Sequence, residues 1–355
     1  MIGERLRLAR QAAGLSLREL AARVGVTAQA ISKYERGLDT PSSGVLLRLA
    51  ETLGVKVEYF FRARRVNLFV PAYRKNSTLR RKKEGAVLAQ VQGWLERYLE
   101  VEGLFPSGEA ARRFILPERV NPYIAVPEEA ERVAGELRAA WQAGLDPIEN
   151  LTELLEDKGI KVGLVEGAEG FDACTFTEEE GCLIIAVRRD LPGDCQRFNL
   201  AHELGHIILR PGKGVSAEKA AHRFAGAFLV PAPAARRELG DRRHALNLYE
   251  LHLLKHKYGF SMQAWIYRAK DLGIISEALA TNLFREFRRR GWYEKEPGDQ
   301  LPAEEPKRME RLVMRALTED LISESRAAEL LDKPLAEFWR EVAERHGGFP
   351  ADLRN

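Results

Sequence analysis

The feature that most restricts this chain is a pair of histidines four residues apart inside an apolar stretch, Arg197-Phe198-Asn199-Leu200-Ala201-His202-Glu203-Leu204-Gly205-His206-Ile207-Ile208-Leu209. Leu200, Leu204, Ile207 and Ile208 recur at helical spacing, so the segment is expected to be one helix that buries a stripe and holds its histidines rigidly. Positions i and i+4 share a helix face, and two imidazoles placed there can hold a single zinc ion. Glu203 stands next to the first histidine, where a carboxylate can take a proton from a metal-bound water.

Just upstream, Cys182-Leu183-Ile184-Ile185-Ala186-Val187 reads as a short buried strand and Asp190-Leu191-Pro192-Gly193 as a turn. Strand, turn and metal helix make a zincin-like arrangement. A catalytic zinc usually takes three protein ligands and a water. The candidate source of the third is residues 216–231, a second amphipathic helix that stops at Pro231 and packs through Ala220, Ala221, Phe224, Ala225 and Phe228. Glu218 near its start is the expected ligand, the alternative being a carboxylate placed there for the helix dipole alone. His222, one turn along, is expected either to donate a hydrogen bond to a developing oxyanion or to be an ordinary surface or core histidine.

HELGHIIL followed by ExxAHRFAxxFLVP resembles the ImmA/IrrE family of zinc metallopeptidases, and the resemblance extends to residues 146–151, 159–162 and 196–198. It implies zinc as cofactor, His202, His206 and Glu218 as ligands, and Glu203 beside them. It also implies a small zincin fold that cleaves, or helps to cleave, a helix-turn-helix repressor in a stress or mobile-element response. Arg188 departs from the family, standing where an asparagine is common at the end of the strand.

Composition sets the remaining bounds. With 355 residues, 45% apolar and 30% charged, the chain has material for two or three globular domains. No run of 18 apolar residues occurs and the N-terminus opens directly on an amphipathic pattern, so neither a membrane span nor a signal peptide is expected. Three cysteines, Cys174, Cys182 and Cys195, form no CxxC pair and point to reduced thiols in a cytoplasm. Cys195, close before the metal helix, reads as a zinc-directed or a plain buried thiol. The net charge of +3 is unevenly spread: residues 1–83 carry 18 basic against 6 acidic side chains, leaving the remainder at −9. A basic block on an acidic remainder suggests that only the first part meets nucleic acid.

Residues 2–62 read as a bundle of four or five short helices. Ser16 and Thr27 are expected N-caps, with Glu19 at the capping-box position, and Gly14, Gly25 and Gly37 are expected stops. Two short helices joined by a glycine-containing turn make a helix-turn-helix, whose second helix enters the major groove of double-stranded DNA. In residues 27–36, Ala30, Ile31 and Tyr34 are expected to face the bundle and Ala28, Gln29, Ser32 and Lys33 to face outward. Gln29 suits adenine edges and Lys33 guanine or phosphate, while Arg18 is placed for a backbone phosphate. The pattern SLRELAARVGVTAQAISKYERGLDTPS…LLRLAETLGV is similar to the XRE, or Cro/repressor-like, DNA-binding family over the whole bundle. Arg18, Thr27, Ala28, Gln29, Ser32 and Lys33 are the candidate DNA-binding residues, and the resemblance implies a possible homodimer; a helix-turn-helix used only for protein contacts is the alternative.

The expected fold class is mainly α with a small α+β domain. The segments are a helix-turn-helix bundle over residues 1–62, a basic linker over 63–83 with a short extended piece at 66–70, and a helical lead-in with a zincin-like domain over 84–235. That domain should hold a short mixed or antiparallel sheet, and residues 236–355 should be helical, for packing or protein contact. The apolar face of residues 84–104 is expected to pack on the zincin-like domain or on a second copy. Two functions remain open: a DNA-associated zinc endopeptidase with a protein substrate, or an autoregulating repressor or antitoxin whose zincin-like domain binds a partner without turnover.

Overall fold

Short helices begin the chain because caps and glycines punctuate it every ten residues or so. The computed structural model describes residues 2–61, 66, 68, 69, 81–167, 170–293 and 295–345. Its first elements are α1 (Ile2–Ala12), α2 (Leu17–Val24), α3 (Ala28–Glu35) and α4 (Ser43–Leu53), closed by a 3-10 turn at Val57–Phe61. Ser16 accepts from the Glu19 N–H while the Glu19 side chain accepts from the Ser16 N–H, and Thr27 accepts from the Ala30 N–H. Gly25 ends α2 at φ 73°, a left-handed conformation that costs glycine little. Leu6, Leu20, Val24, Ile31, Leu49 and Phe60 form the buried centre. Gly3 lets α1 lie on the end of α3, since a Cβ there would stand 2.1 Å from the Tyr34 carbonyl oxygen.

By internal contacts the chain divides into two compact units, Met1–Asn67 with Arg80–Arg112 and Pro306–Asn355, and Leu68–Leu79 with Arg113–Glu305. This division does not follow the segments read from the sequence. Helix α5 (Arg81–Glu102), expected to lead into the zincin-like domain, belongs with the N-terminal bundle, where Glu96 pairs with the buried Arg5 of α1. The basic residues Arg62, Arg64, Arg65, Arg74, Lys75 and Arg80 lie outside the described residues.

The second unit is built on a mixed four-stranded sheet in the order β1 (Leu68–Phe69), β4 (Ala173–Glu178), β5 (Leu183–Arg188), β3 (Ile160–Val165). β4 and β5 are antiparallel across a turn at Gly181, as the sequence suggested, and β3 runs parallel to β5 with Ile160 opposite Leu183. A second pair, β2 (Tyr123–Ile124) with β6 (Arg210–Pro211), is parallel. Around the sheet lie α6 (Ala130–Ala140), α7 (Leu151–Asp157), α8 (Gly193–Ile208) and α9 (Ala217–Leu229), then α10 (Ala232–Leu239), α11 (Leu248–Tyr258), α12 (Met262–Asp271) and α13 (Glu277–Arg289). One continuous core joins them, with Val162, Ile185, Leu200, Leu204, Phe224, Phe228 and Trp265 among its buried members. Much of the region expected as a separate helical tail, α10 to α13, is thus part of this unit. Helix α10 had no counterpart in the sequence reading: Pro231 stops α9 and starts α10 at once, and only the first role is legible locally.

The remaining helices, α14 (Arg308–Thr318), α15 (Glu324–Leu330) and α16 (Leu335–Arg345), return to the first unit. Val313, Ala316, Ala327 and Leu330 close against Tyr98 and Val101 of α5, so the apolar face of α5 is covered by the chain's own C-terminal helices. No helix among the described residues is long and apolar enough to cross a membrane.

Candidate metal centre and DNA-facing helix

Helix α8 starts after Pro192 and is anchored at both its first turns. Asp194 meets the Lys255 ammonium at 3.2 Å, and Arg197 reaches the Ile148 carbonyl at 2.6 Å and ion-pairs with Glu304. Glu304 in turn caps α7 by accepting from the N–H groups of Leu151 and Thr152. Helix α9 is capped by Ser216, which accepts from Lys219, and Glu218 lies in its first turn. The two helices close at Gly205, where a Cβ would stand 3.1 Å from the Ala221 Cα and 3.2 Å from the Phe224 ring. A glycine and an alanine at the crossing thus set the first turn of α9 beside the histidine face of α8.

His202, His206 and Glu218 are brought together. The two Nε2 atoms are 3.1 Å apart, and the Glu218 carboxylate oxygens lie 3.3 Å from His202 Nε2 and 3.6 Å from His206 Nε2. Ligands bound tetrahedrally to zinc at about 2.1 Å would stand about 3.4 Å from one another. The donor set therefore fits one divalent ion in type and in spacing, and it is a group of the kind that can hold a metal. The His206 side chain is 3% exposed and that of Glu218 62%, so the group opens to solvent on the α9 side.

Glu203, almost wholly buried, points to the sheet. One of its carboxylate oxygens accepts from both the main-chain N–H and the hydroxyl of Thr175 on β4, each at 2.8 Å. Thr175 was not singled out from the sequence: a threonine in a strand carries no local sign that its hydroxyl meets a helix 28 residues on. His222 is exposed at the surface, with its ring centroid 4.7 Å from that of His202 and 5.4 Å from that of Phe198. Desolvation against these neighbours lowers its pKa, against the opposing pull of Glu218 and Asp271. Arg188, the departure from the family pattern, turns to Asp190 at 2.9 Å and Asp172 at 3.8 Å. Cys195 stays outside the metal cluster, its thiol pushed up to about 12 by burial and then by Asp194 and Glu296.

In the first unit, Arg18, Thr27, Gln29 and Lys33 are exposed and Ser32 is half-buried. Ile31 is fully buried and Tyr34 packs on the core, as expected. Ala28, expected to face outward, also packs against that core, because the first turn of α3 sits over its inner residues.

Residues 6–60 match the family described as helix-turn-helix, and residues 168–270 match the IrrE N-terminal-like domain of the M78 peptidases. The chain joins an XRE-type helix-turn-helix domain to an IrrE-like domain. Over 60 residues, 17% of this chain, it is 43% identical to an uncharacterized transcriptional regulator in the ATPase CF(0) region of Rhodospirillum rubrum, spanning 56% of that protein. It is 40% identical over 60 residues to an uncharacterized HTH-type transcriptional regulator of Rickettsia prowazekii, spanning 46% of that one. The chain thus spans about half the length of these relatives. The crystal structure of ComR from Streptococcus suis aligns over 96% of this chain and 94% of that one at 11% identity and a TM-score of 0.16. The helix-turn-helix match implies DNA binding, and the IrrE-like match, to a peptidase-related family, spans His202, Glu203 and His206.

Proposed function

We propose that this helix-turn-helix regulator is a cytoplasmic, zinc-dependent endopeptidase held at DNA, acting on a protein substrate, a helix-turn-helix repressor, in a stress or mobile-element response. The observation that carries the reading is the convergence of His202, His206 and Glu218 at separations of 3.1 to 3.6 Å, with Glu203 next to His202 in the chain. Zinc held by these three would supply a Lewis acid that makes a water acidic near neutral pH. Glu203 accepts the proton of the attacking water and returns it to the leaving amine. His222 offers a ring N–H to the oxyanion that develops. Arg18, Thr27, Ala28, Gln29, Ser32 and Lys33 are the proposed DNA contacts, made by a homodimer on two half-sites.

The test combines metal analysis with incubation of the full chain and the product of a neighbouring gene as candidate target. Glu203→Gln should keep its zinc and lose cleavage by about 10²–10⁴-fold. Glu218→Gln should lose zinc affinity by more than the roughly 10–100-fold typical of outer contacts. Unchanged proteolysis by Glu203→Gln removes the base from the mechanism. A second reading, an autoregulating repressor or antitoxin that binds a partner without turnover, draws on the relatives of the helix-turn-helix domain, which are transcriptional regulators. Zinc present with no cleavage of any co-encoded protein selects it.

A further inference from the structure

Helix α11 carries a second pair of histidines at the spacing of the candidate metal pair. His252 and His256 are one turn apart with ring centroids separated by 4.6 Å, against 4.7 Å for His202 and His206, and the rings meet edge to face in both pairs. Residues i and i+4 share a helix face, so one ion outside α11 can meet a nitrogen of each ring. Among the described residues, neither ring is committed to a hydrogen bond or an ion pair. The pair is also held in place before any ion arrives. Asn247 caps α11 through the N–H groups of Tyr249 and Glu250, Gly259 ends it, and on its inner face Lys255 is fully buried against Asp194 and Glu296. His252 is half-buried: Tyr249 stacks on its ring at 6.4 Å, and a Cβ added at Gly298 would stand 2.6 Å from its Cε1. A ring fixed in this way loses little freedom on binding. His256 is exposed and opens the pair to solvent. The neighbouring ammonium groups are already matched, Lys255 as above and Lys257 by Glu238 at 2.7 Å, so neither meets an incoming cation as an unpaired charge.

We propose that His252 and His256 form a second, exchangeable metal site on α11 for a late first-row transition ion, Zn2+, Ni2+ or Cu2+, with water in the remaining positions. Imidazole nitrogens suit these ions, whereas Mg2+ and Ca2+ prefer oxygen. No third histidine, cysteine or carboxylate joins the pair among the described residues. Two ligands hold an ion less tightly than three, so this site fills only when free metal exceeds what His202, His206 and Glu218 would take. An ion there ties two successive turns of α11 together. Because Lys255 of α11 holds Asp194 in the first turn of α8, metal in excess steadies the element behind the candidate centre. Nothing in this site depends on peptidase activity.

The test is calorimetric titration of the full-length, tag-free chain with Ni2+, Cu2+ and Mg2+, with thermal unfolding of each metal-free protein as the check on folding. His256→Asn should bind one ion fewer than the unchanged chain and unfold, without metal, at the same temperature. His202→Ala/His206→Ala should keep the ion on α11. Adding His256→Asn to that variant should weaken the remaining binding by more than the roughly 10–100-fold that loss of an outer contact costs. Ni2+ should raise the unfolding temperature of His202→Ala/His206→Ala but not that of its His256→Asn derivative. His256→Asn/Lys257→His moves the second imidazole about 100° round the helix and should not restore binding. Cu2+ should bind more tightly than Ni2+, and Mg2+ should not bind α11. Unaltered stoichiometry in His256→Asn, recovery by the displaced histidine, or Mg2+ binding that His256→Asn removes would each overturn the site. If His202→Ala/His206→Ala costs the chain no ion while His256→Asn does, the site on α11 stands and the candidate centre of the proposed function falls.

Discussion

At the scale of single residues, two bonds from one threonine aim the Glu203 carboxylate. The Thr175 hydroxyl and N–H reach the same oxygen, leaving the other for a different partner. Thr175→Val keeps the main-chain donor and removes the hydroxyl from a buried position, which should lower cleavage by roughly tenfold, about 1.4 kcal/mol, the scale of one hydrogen bond to a charged group. Zinc content should stay unchanged, and an equal loss of zinc would show that Thr175 merely supports the fold. The candidate ligands were legible in the sequence because HExxH is a local pattern and Glu218 opens the next helix. Thr175 was not, since what defines it is a neighbour from another element. Cys195 illustrates the converse: its closeness in sequence to the metal helix allowed a zinc role, yet its thiol is not in the group in which His202, His206 and Glu218 converge.

At the scale of elements, the site depends on how closely α8 and α9 approach. Gly205 faces Ala221 and Phe224 so closely that an added methyl group would push its neighbours back by a few tenths of an ångström. Gly205→Val should destabilise the metal-free protein by about 1–3 kcal/mol, the usual cost of overpacking. It should also weaken zinc binding, because a wider crossing draws Glu218 from the two histidines. Thermal unfolding and competition with a chromogenic chelator check the two effects, and a variant that loses stability while binding zinc normally would uncouple the crossing from the site. The helix pair could be read from two amphipathic periods. The pairing of β2 with β6 could not be read, since two residues are too short for any period to show.

At the scale of the whole molecule, charge burial ties distant segments into the second unit. Lys255 of α11 is fully buried between Asp194 of α8 and Glu296, at 3.2 and 3.1 Å. Glu296 also accepts from the N–H groups of Met262 and Gln263 at the start of α12. Burial alone would lower the Lys255 pKa, but Asp194 and Glu296 more than reverse this and leave it above the ordinary lysine value. A raised lysine pKa contributes stability that is fully present below the unfolded value, about 10.4, and is lost as pH rises through the folded one. Thermal midpoints of the unchanged protein should therefore fall more steeply above the ordinary lysine range than those of Lys255→Met. At neutral pH that variant should be less stable by about 3–5 kcal/mol, because two buried carboxylates lose their cation. Parallel alkaline profiles for the two proteins would remove Lys255 from this role.

By itself the sequence determined the two kinds of domain, the helix-turn-helix with its caps, the antiparallel β4–β5 hairpin, and the candidate metal residues, since each is written in spacings shorter than a few turns of helix. Only the tertiary structure decided that α5 joins the N-terminal bundle, that α14 and α15 cover its apolar face, and that Thr175 holds Glu203. The physical reason is that an apolar face or a buried charge states what it needs, water excluded or a counterion near, without stating which distant segment will supply it.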